Sequence, residues 1–200
     1  MTPHEAPAAL GRACAIVRRV AEAGVDLIQI REPRMDDRLL VTFVREALSA
    51  VRDTSARVVV NDRVDVALAA GAAGVHLRGD SVSARDVRQI APPGFLIGRS
   101  VHSADEAAAA ARVGGCDYLV FGTVFPSANK PIGHRVAGVE ELARACGLTA
   151  LPVLAIGGMS IERVPAVRAA GARGIAAITL FAWSADAAAA VSAVRRAFDT

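Results

Sequence analysis

Short apolar runs recur along this chain, separated by longer stretches whose apolar positions fall three and four apart. The runs cover residues 25–30, 57–61, 74–77, 95–100, 118–121, 152–156 and 174–178. They are too short and too continuous for amphipathic helices, so they predict strands buried on both faces. The stretches between them predict helices. Leu39, Leu40, Phe43, Val44, Ala47, Leu48 and Val51 share one helical face. Ser103 with Glu106 forms a capping-box pattern, and Ser184 is the expected cap of a last helix with Ala187, Val191, Val194 and Phe198 inward. Glycine follows several helical stretches, at Gly24, Gly71, Gly114, Gly115 and Gly171, where a left-handed residue ends a helix.

Strictly alternating strands and helices give an open doubly wound sheet or a closed barrel. No Gly-x-Gly-x-x-Gly follows the first strand, as an open nucleotide-binding sheet would require. Gly157-Gly158 instead follows the penultimate strand and Thr179 closes the last, which suits the phosphate loops of a (β/α)₈ barrel. The expectation is therefore an α/β protein with a TIM (β/α)₈ barrel, one domain over residues 1–200. Seven strands are found where eight are wanted. A helix predicted over 7–23 comes first, and residues 1–6 hold no apolar run. The barrel thus lacks its first strand in this chain. An open seam would leave strand edges near Leu27 and Ile175, an aggregation hazard that a homodimer partner could cover.

Composition narrows the function classes. At 200 residues and 53% hydrophobic, the chain can bury a sizeable core. The net charge is only +3, and the basic pairs Arg18-Arg19 and Arg195-Arg196 are isolated, which argues against nucleic acid. Cys14, Cys116 and Cys146 match no metal spacing and read as small core residues. The N-terminus is polar and no run reaches a membrane span, so a cytoplasmic enzyme or binding protein is expected, with no membrane partner.

Twenty-three basic residues include a single lysine, Lys130, in a segment of small hydroxyl and amide groups. A compact ammonium with three donors suits phosphate or diphosphate, although one lysine on a solvated loop needs no ligand. In a barrel, strand C-terminal ends face the active site. Read in order they offer Gln29, Arg31 and Glu32; Asn61 and Asp62; His76, Arg78 and Asp80; Ser100 and His102; Ser127, Asn129 and Lys130; Gly157 and Gly158; Ile178 and Thr179. That inventory suits a small phosphorylated substrate with Mg²⁺, which binds through one or two carboxylates plus phosphate oxygens. Bland readings stand beside these: Asn61-Asp62 as a helix cap, His76 as a core histidine, Gly157-Gly158 as a tight turn.

Six segments in order, Gln29-Ile-Arg-Glu, Val60-Asn-Asp-Arg-Val-Asp-Val-Ala-Leu, Gly74-Val-His-Leu, Ile97-Gly-Arg-Ser-Val-His-Ser, Phe121-Gly-Thr-Val-Phe-Pro-Ser and Ala155-Ile-Gly-Gly-Met, resemble the thiamine phosphate synthase and TenI superfamily. The resemblance implies thiamine biosynthesis and a transferase that condenses hydroxymethylpyrimidine diphosphate with thiazole phosphate, releasing diphosphate, with Mg²⁺. It implies that Arg31, Asn61, Ser100 and Lys130 hold diphosphate or pyrimidine; Gln29, His76, Ser127 and Asn129 are expected at substrate from their strand-end positions. It assigns metal to Asp62, with Asp80 beside the second position, and the thiazole phosphate to Gly158, Ile178 and Thr179, while Gly157 is expected at substrate from its place in the glycine pair. Five positions depart from the pattern: Pro33 replaces a lysine, Ser81 the second metal carboxylate and Thr123 the histidine of the TenI thiazole tautomerase, while Ser127 and Asn129 stand where threonines are usual. The alternatives are therefore that tautomerase activity, served by His102 or His134, and a non-catalytic binder of thiazole phosphate.

Overall fold

A computed structural model of the chain describes residues 6–127, 133 and 135–199; Asn129, Lys130 and His134 lie outside the described residues. Seven strands, β1 (Leu27–Ile30), β2 (Arg57–Asn61), β3 (Gly74–Leu77), β4 (Leu96–Val101), β5 (Tyr118–Gly122), β6 (Val153–Ile156) and β7 (Gly174–Ala176), pair in parallel and in chain order. Helices alternate with them: α1 (Ala6–Glu22), α2 (Asp37–Ala50), α3 (Val64–Ala70), α4 (Ala84–Ile90), α5 (Ala104–Val113), α6 (Gly138–Gly147), α7 (Val164–Ala169), α8 (Thr179–Ala182) and α9 (Ala187–Asp199). Among the described residues this is a TIM-type barrel without its first strand. β1 and β7 are the two ends of the sheet, as the strand count predicts. No described helix is long and apolar enough to cross a membrane.

Alternation along each strand separates two faces. Ile30, Val58, Val60, Val75, Leu77 and Ile97 pack outward in one buried cluster. Val101, Leu119, Phe121, Val153 and Ala155 pack outward in a second. The intervening positions, among them Gln29, Asn61, His76, Gly98, Ser100 and Tyr118, therefore line the barrel interior. Gly98 is needed there, because a Cβ would lie 2.1 Å from the Tyr118 ring.

Side chains lace the seam between β7 and β1. Arg19 on α1 donates to the carbonyls of Ser184 (2.7 Å) and Ala182 (2.5 Å) beyond β7. Arg195 on α9 donates to the Gly24 carbonyl at 2.7 Å and the Asp26 carboxylate at 2.6 Å, just ahead of β1. The opposite, N-terminal rim is tied by Asp117, which accepts from Arg88 at 2.6 Å and from the Ile97 amide at 2.7 Å.

The capping expectations need one correction. Ser103 accepts from the Glu106 amide at 3.1 Å, as expected, while the Glu106 carboxylate takes the His102 amide at 2.7 Å. Ser184 does not cap the last helix. Asp186 does, accepting from the Ala189 amide at 2.8 Å, because it directly precedes Ala187. Ser184 instead receives the Asp186 amide at 3.2 Å in a local turn.

Candidate active site

Because all seven strands run the same way, their C-terminal ends form one rim. Its left half is a polar belt on the inner face of β1–β4. Gln29 Nε2 donates to Asn61 Oδ1 at 2.8 Å. Asn61 is in register with His76, and His76 with Gly98. His76 Nε2 lies 2.9 Å from Ser100 Oγ, and Nδ1 lies 3.2 Å from the Tyr118 hydroxyl. Four residues expected at the site thus meet in two linked pairs.

His76 is only 3% exposed, and burial pushes its pKa down to about 4, so the ring is neutral at pH 7. Burial likewise raises the Tyr118 phenol well above its ordinary range. Among the described residues, His76 is the phenol's hydrogen-bond partner. A buried O–H without an acceptor costs about 1–3 kcal/mol, so the phenol donates to Nδ1. Nε2 then carries the ring proton and donates to Ser100 Oγ. The Ser100 hydroxyl hydrogen is then not used in this pair.

The right half of the rim is an open cleft of about 630 Å³ lined by Pro126, Ser127, Gly158, Thr179, Ser160 and Arg163 among others. Gly157 and Gly158 are both left-handed, with φ of 102° and 61°. Their missing side chains admit the segment after β5: Cβ atoms there would stand 2.4 Å from Thr123 and 2.3 Å from the Pro126 carbonyl. The Val124 amide donates to the Ile156 carbonyl at 2.9 Å and the Phe125 amide to the Gly157 carbonyl at 3.1 Å, so this segment follows β6 to the cleft. Thr179 opens the short helix α8, and Ile178 before it is 65% exposed at the rim. Counting the absent strand, β6 and β7 are the seventh and eighth strands, whose loops hold phosphate in barrels of this kind.

Several contributors were not singled out by sequence. Arg163 donates to the Gly158 carbonyl and lies 4.8 Å over the Phe125 ring, which fixes the cleft's far wall. The Ser160 hydroxyl holds the Glu162 carboxyl below its ordinary range. Tyr118 was legible only as a strand residue. His102 lies just past β4, and its Nδ1 is 2.6 Å from the Gly122 carbonyl. That carbonyl can only accept, so Nδ1 carries the proton and the Nε2 lone pair is free to take one.

The expected metal carboxylates are differently engaged. Asp62 sits in left-handed backbone, φ 63°, with its amide donating 2.8 Å to the His76 carbonyl. Its carboxylate accepts the Ser81 hydroxyl and lies 3.6 Å from Arg78 Nη1. Arg78 Nη2 is 2.5 Å from Asp80. Among the described residues no group of three or more histidine, cysteine, aspartate or glutamate side chains is arranged to hold a metal. Asp62 and Asp80 thus share a guanidinium, and this donor set does not fit a two-carboxylate magnesium site.

Comparisons with known proteins agree with this architecture. The family model described as thiamine monophosphate synthase (TMP-TENI) matches residues 2–181. The thiamine-phosphate synthase of Methanoculleus marisnigri is 38% identical over 180 residues, 90% of this chain and 85% of the relative. The structure called thiamine phosphate pyrophosphorylase from Pyrococcus furiosus superposes with a TM-score of 0.82 at 33% identity, covering 93% of this chain and 89% of that one. A 3-hexulose-6-phosphate synthase, at TM-score 0.71, 21% identity and coverage of 94% of each chain, shares the fold.

Proposed function

Because the chain belongs to the thiamine monophosphate synthase family, we propose that it condenses hydroxymethylpyrimidine diphosphate with thiazole phosphate and releases diphosphate. The carrying observation is the rim itself: a polar belt ending at Ser100 faces a cleft built around Gly158 and Thr179.

In this scheme the C–O bond between the pyrimidine methylene and diphosphate breaks, and diphosphate leaves with the electron pair. The thiazole nitrogen then donates its lone pair to the methylene cation and forms the C–N bond. The protein's task is to meet charge on the departing oxygens with preorganised donors. Arg31, exposed at the end of β1, and Lys130 supply cations, and the Ser100 hydroxyl supplies a donor of fixed direction. Gln29 and Asn61 hold the pyrimidine edge, and Ser127 and Asn129 contribute further polar groups to substrate binding. His76 serves through Ser100, since both its ring nitrogens are engaged. Gly157, Gly158, Ile178 and Thr179 seat the thiazole phosphate. No step is assigned to a metal ion, because Asp62 and Asp80 already share Arg78.

Purified protein supplied with both substrates should form thiamine phosphate and diphosphate in equal amounts; absence of product under every metal condition would remove this reading. Lys130→Ala should weaken diphosphate binding by roughly 10- to 100-fold, the scale of a charge-assisted contact. Arg144→Ala should leave it unchanged, for Arg144 is 64% exposed on α6 and paired with Glu141 at 2.7 Å. A second reading rests on His102, whose Nε2 lone pair could move a proton on the thiazole. It predicts aromatic thiazole phosphate from the tautomer with no pyrimidine present, lost in His102→Gln.

A further inference from the structure

Two carboxylates at one rim repel unless a cation stands between them. Here the cation is part of the chain. Arg78 lies just past β3, with one guanidinium nitrogen 2.5 Å from Asp80 and another 3.6 Å from Asp62 across the rim at the end of β2. The remaining contacts build this arrangement. The Arg78 amide donates to Ser81 Oγ at 2.9 Å, and the Ser81 hydroxyl donates to the free side of Asp62. Asp62 is held for that contact by left-handed backbone, a conformation aspartate tolerates better than most residues.

The charges can be added. Serine at 81 removes one negative charge relative to a carboxylate there, and Arg78 adds one positive charge relative to a neutral residue. The sum, +1 and +1, equals the +2 of one divalent cation. A hydroxyl also satisfies Asp62 with no counter-ion, whereas a second carboxylate would need one.

We propose that Arg78, held by Asp62 and Asp80, is a resident cation that grips the diphosphate leaving group, so that this chain binds diphosphate and turns over without a divalent metal. The guanidinium is 53% exposed on its side chain and keeps N–H groups for a ligand beyond its two carboxylates. It stands beside Asn61 and two strands from Arg31, in the half of the rim assigned to diphosphate. The inference rests on the synthase reading for its turnover arm and on geometry alone for its binding arm.

The test compares wild type, Arg78→Gln, Arg78→Lys and the double variant Arg78→Gly/Ser81→Asp, all freed of metal by chelator. Calorimetry with inorganic diphosphate should show binding to metal-free wild type, roughly tenfold or more weaker binding to Arg78→Gln, and substantial recovery in Arg78→Lys. Manganese resonance with diphosphate present should show little bound metal in wild type and a bound ion in the double variant. Product formation should persist in chelator for wild type, and become magnesium-dependent in the double variant. Diphosphate binding to wild type that requires Mg²⁺, or that ignores Arg78→Gln, would overturn the proposal. If no variant forms product under any condition, the synthase reading fails, while the calorimetric arm still decides on Arg78.

Discussion

Ser100 is where a buried network meets the substrate side of the rim. Its orientation depends on a neutral imidazole, and the neutrality of His76 has a cost that pH reveals. The folded-state pKa, about 4, lies below the ordinary 6.5. The unfolded chain therefore binds the proton first as pH falls. Stability from this group is complete above about pH 6.5 and is lost progressively down to about pH 4. The loss amounts to about 3 kcal/mol at 1.36 kcal/mol per unit. Urea melts at pH 7 and pH 4.5 should show this slope, flattened in His76→Gln; an equal slope in both proteins would contradict it. Tyr118→Phe keeps the ring over Gly98 but removes the donor to Nδ1. Catalytic turnover should fall by roughly tenfold or more with KM for thiazole phosphate unchanged, since one net hydrogen bond is worth about 1 kcal/mol in stability but sets a direction here. The His76–Tyr118 pair spans 42 positions in sequence, and nothing local in either segment announces it. Arg78 lay in view at the end of its strand, but its pairing depends on the turn that follows, and short-range pattern does not carry that.

At the level of elements, the central strands were legible because burial on both faces demands unbroken apolar runs, as in β3 and β5, whereas β1, β6 and β7 are only partly buried. Helix ends were legible because Gly71 and Gly171 adopt the positive φ their positions require, 76° and 92°. The last helix was capped two residues later than its sequence suggested, since Ser184 and Asp186 are both good caps and only the backbone path separates them. The element pair β4–β5 is the least forgiving. Gly98 and Tyr118 are in register, and the aromatic ring occupies the space where a Cβ would be. Gly98→Ala should cost about 1–3 kcal/mol by overpacking. It should also displace the phenol from His76, so turnover should drop further than stability alone explains. Thermal denaturation and kcat on the same preparation check this, and an unshifted melting point would contradict the packing.

For the molecule as a whole, the missing strand was legible by counting, while the means of closing its gap was not. The seam depends on arginines from α1 and α9 reaching carbonyls and a carboxylate far away in sequence. Arg19 holds Ala182, the last residue of α8, and Ser184 just past this short helix that begins at Thr179. Arg19→Ala should therefore speed hydrogen exchange at α8 and weaken thiazole phosphate binding several-fold, leaving diphosphate binding unchanged. Exchange confined to α1 would place the seam's restraint elsewhere.

The helix-facing core is divided. One cluster runs from Leu10 to Ile97 and the other from Val101 to Ala172, and they meet on β4, which carries Ile97 of one and Val101 of the other, and at Cys116, which packs against both. Severing the chain between α5 and β5 would yield two fragments, the first keeping its whole apolar cluster and the second losing Val101, Ala104, Ala107 and Ala110 from its own. Neither would own the complete mouth, because Ser100 would leave with one piece and the paired glycines with the other. Activity would then return only on reassembly, which makes this scaffold suited to a split-enzyme reporter.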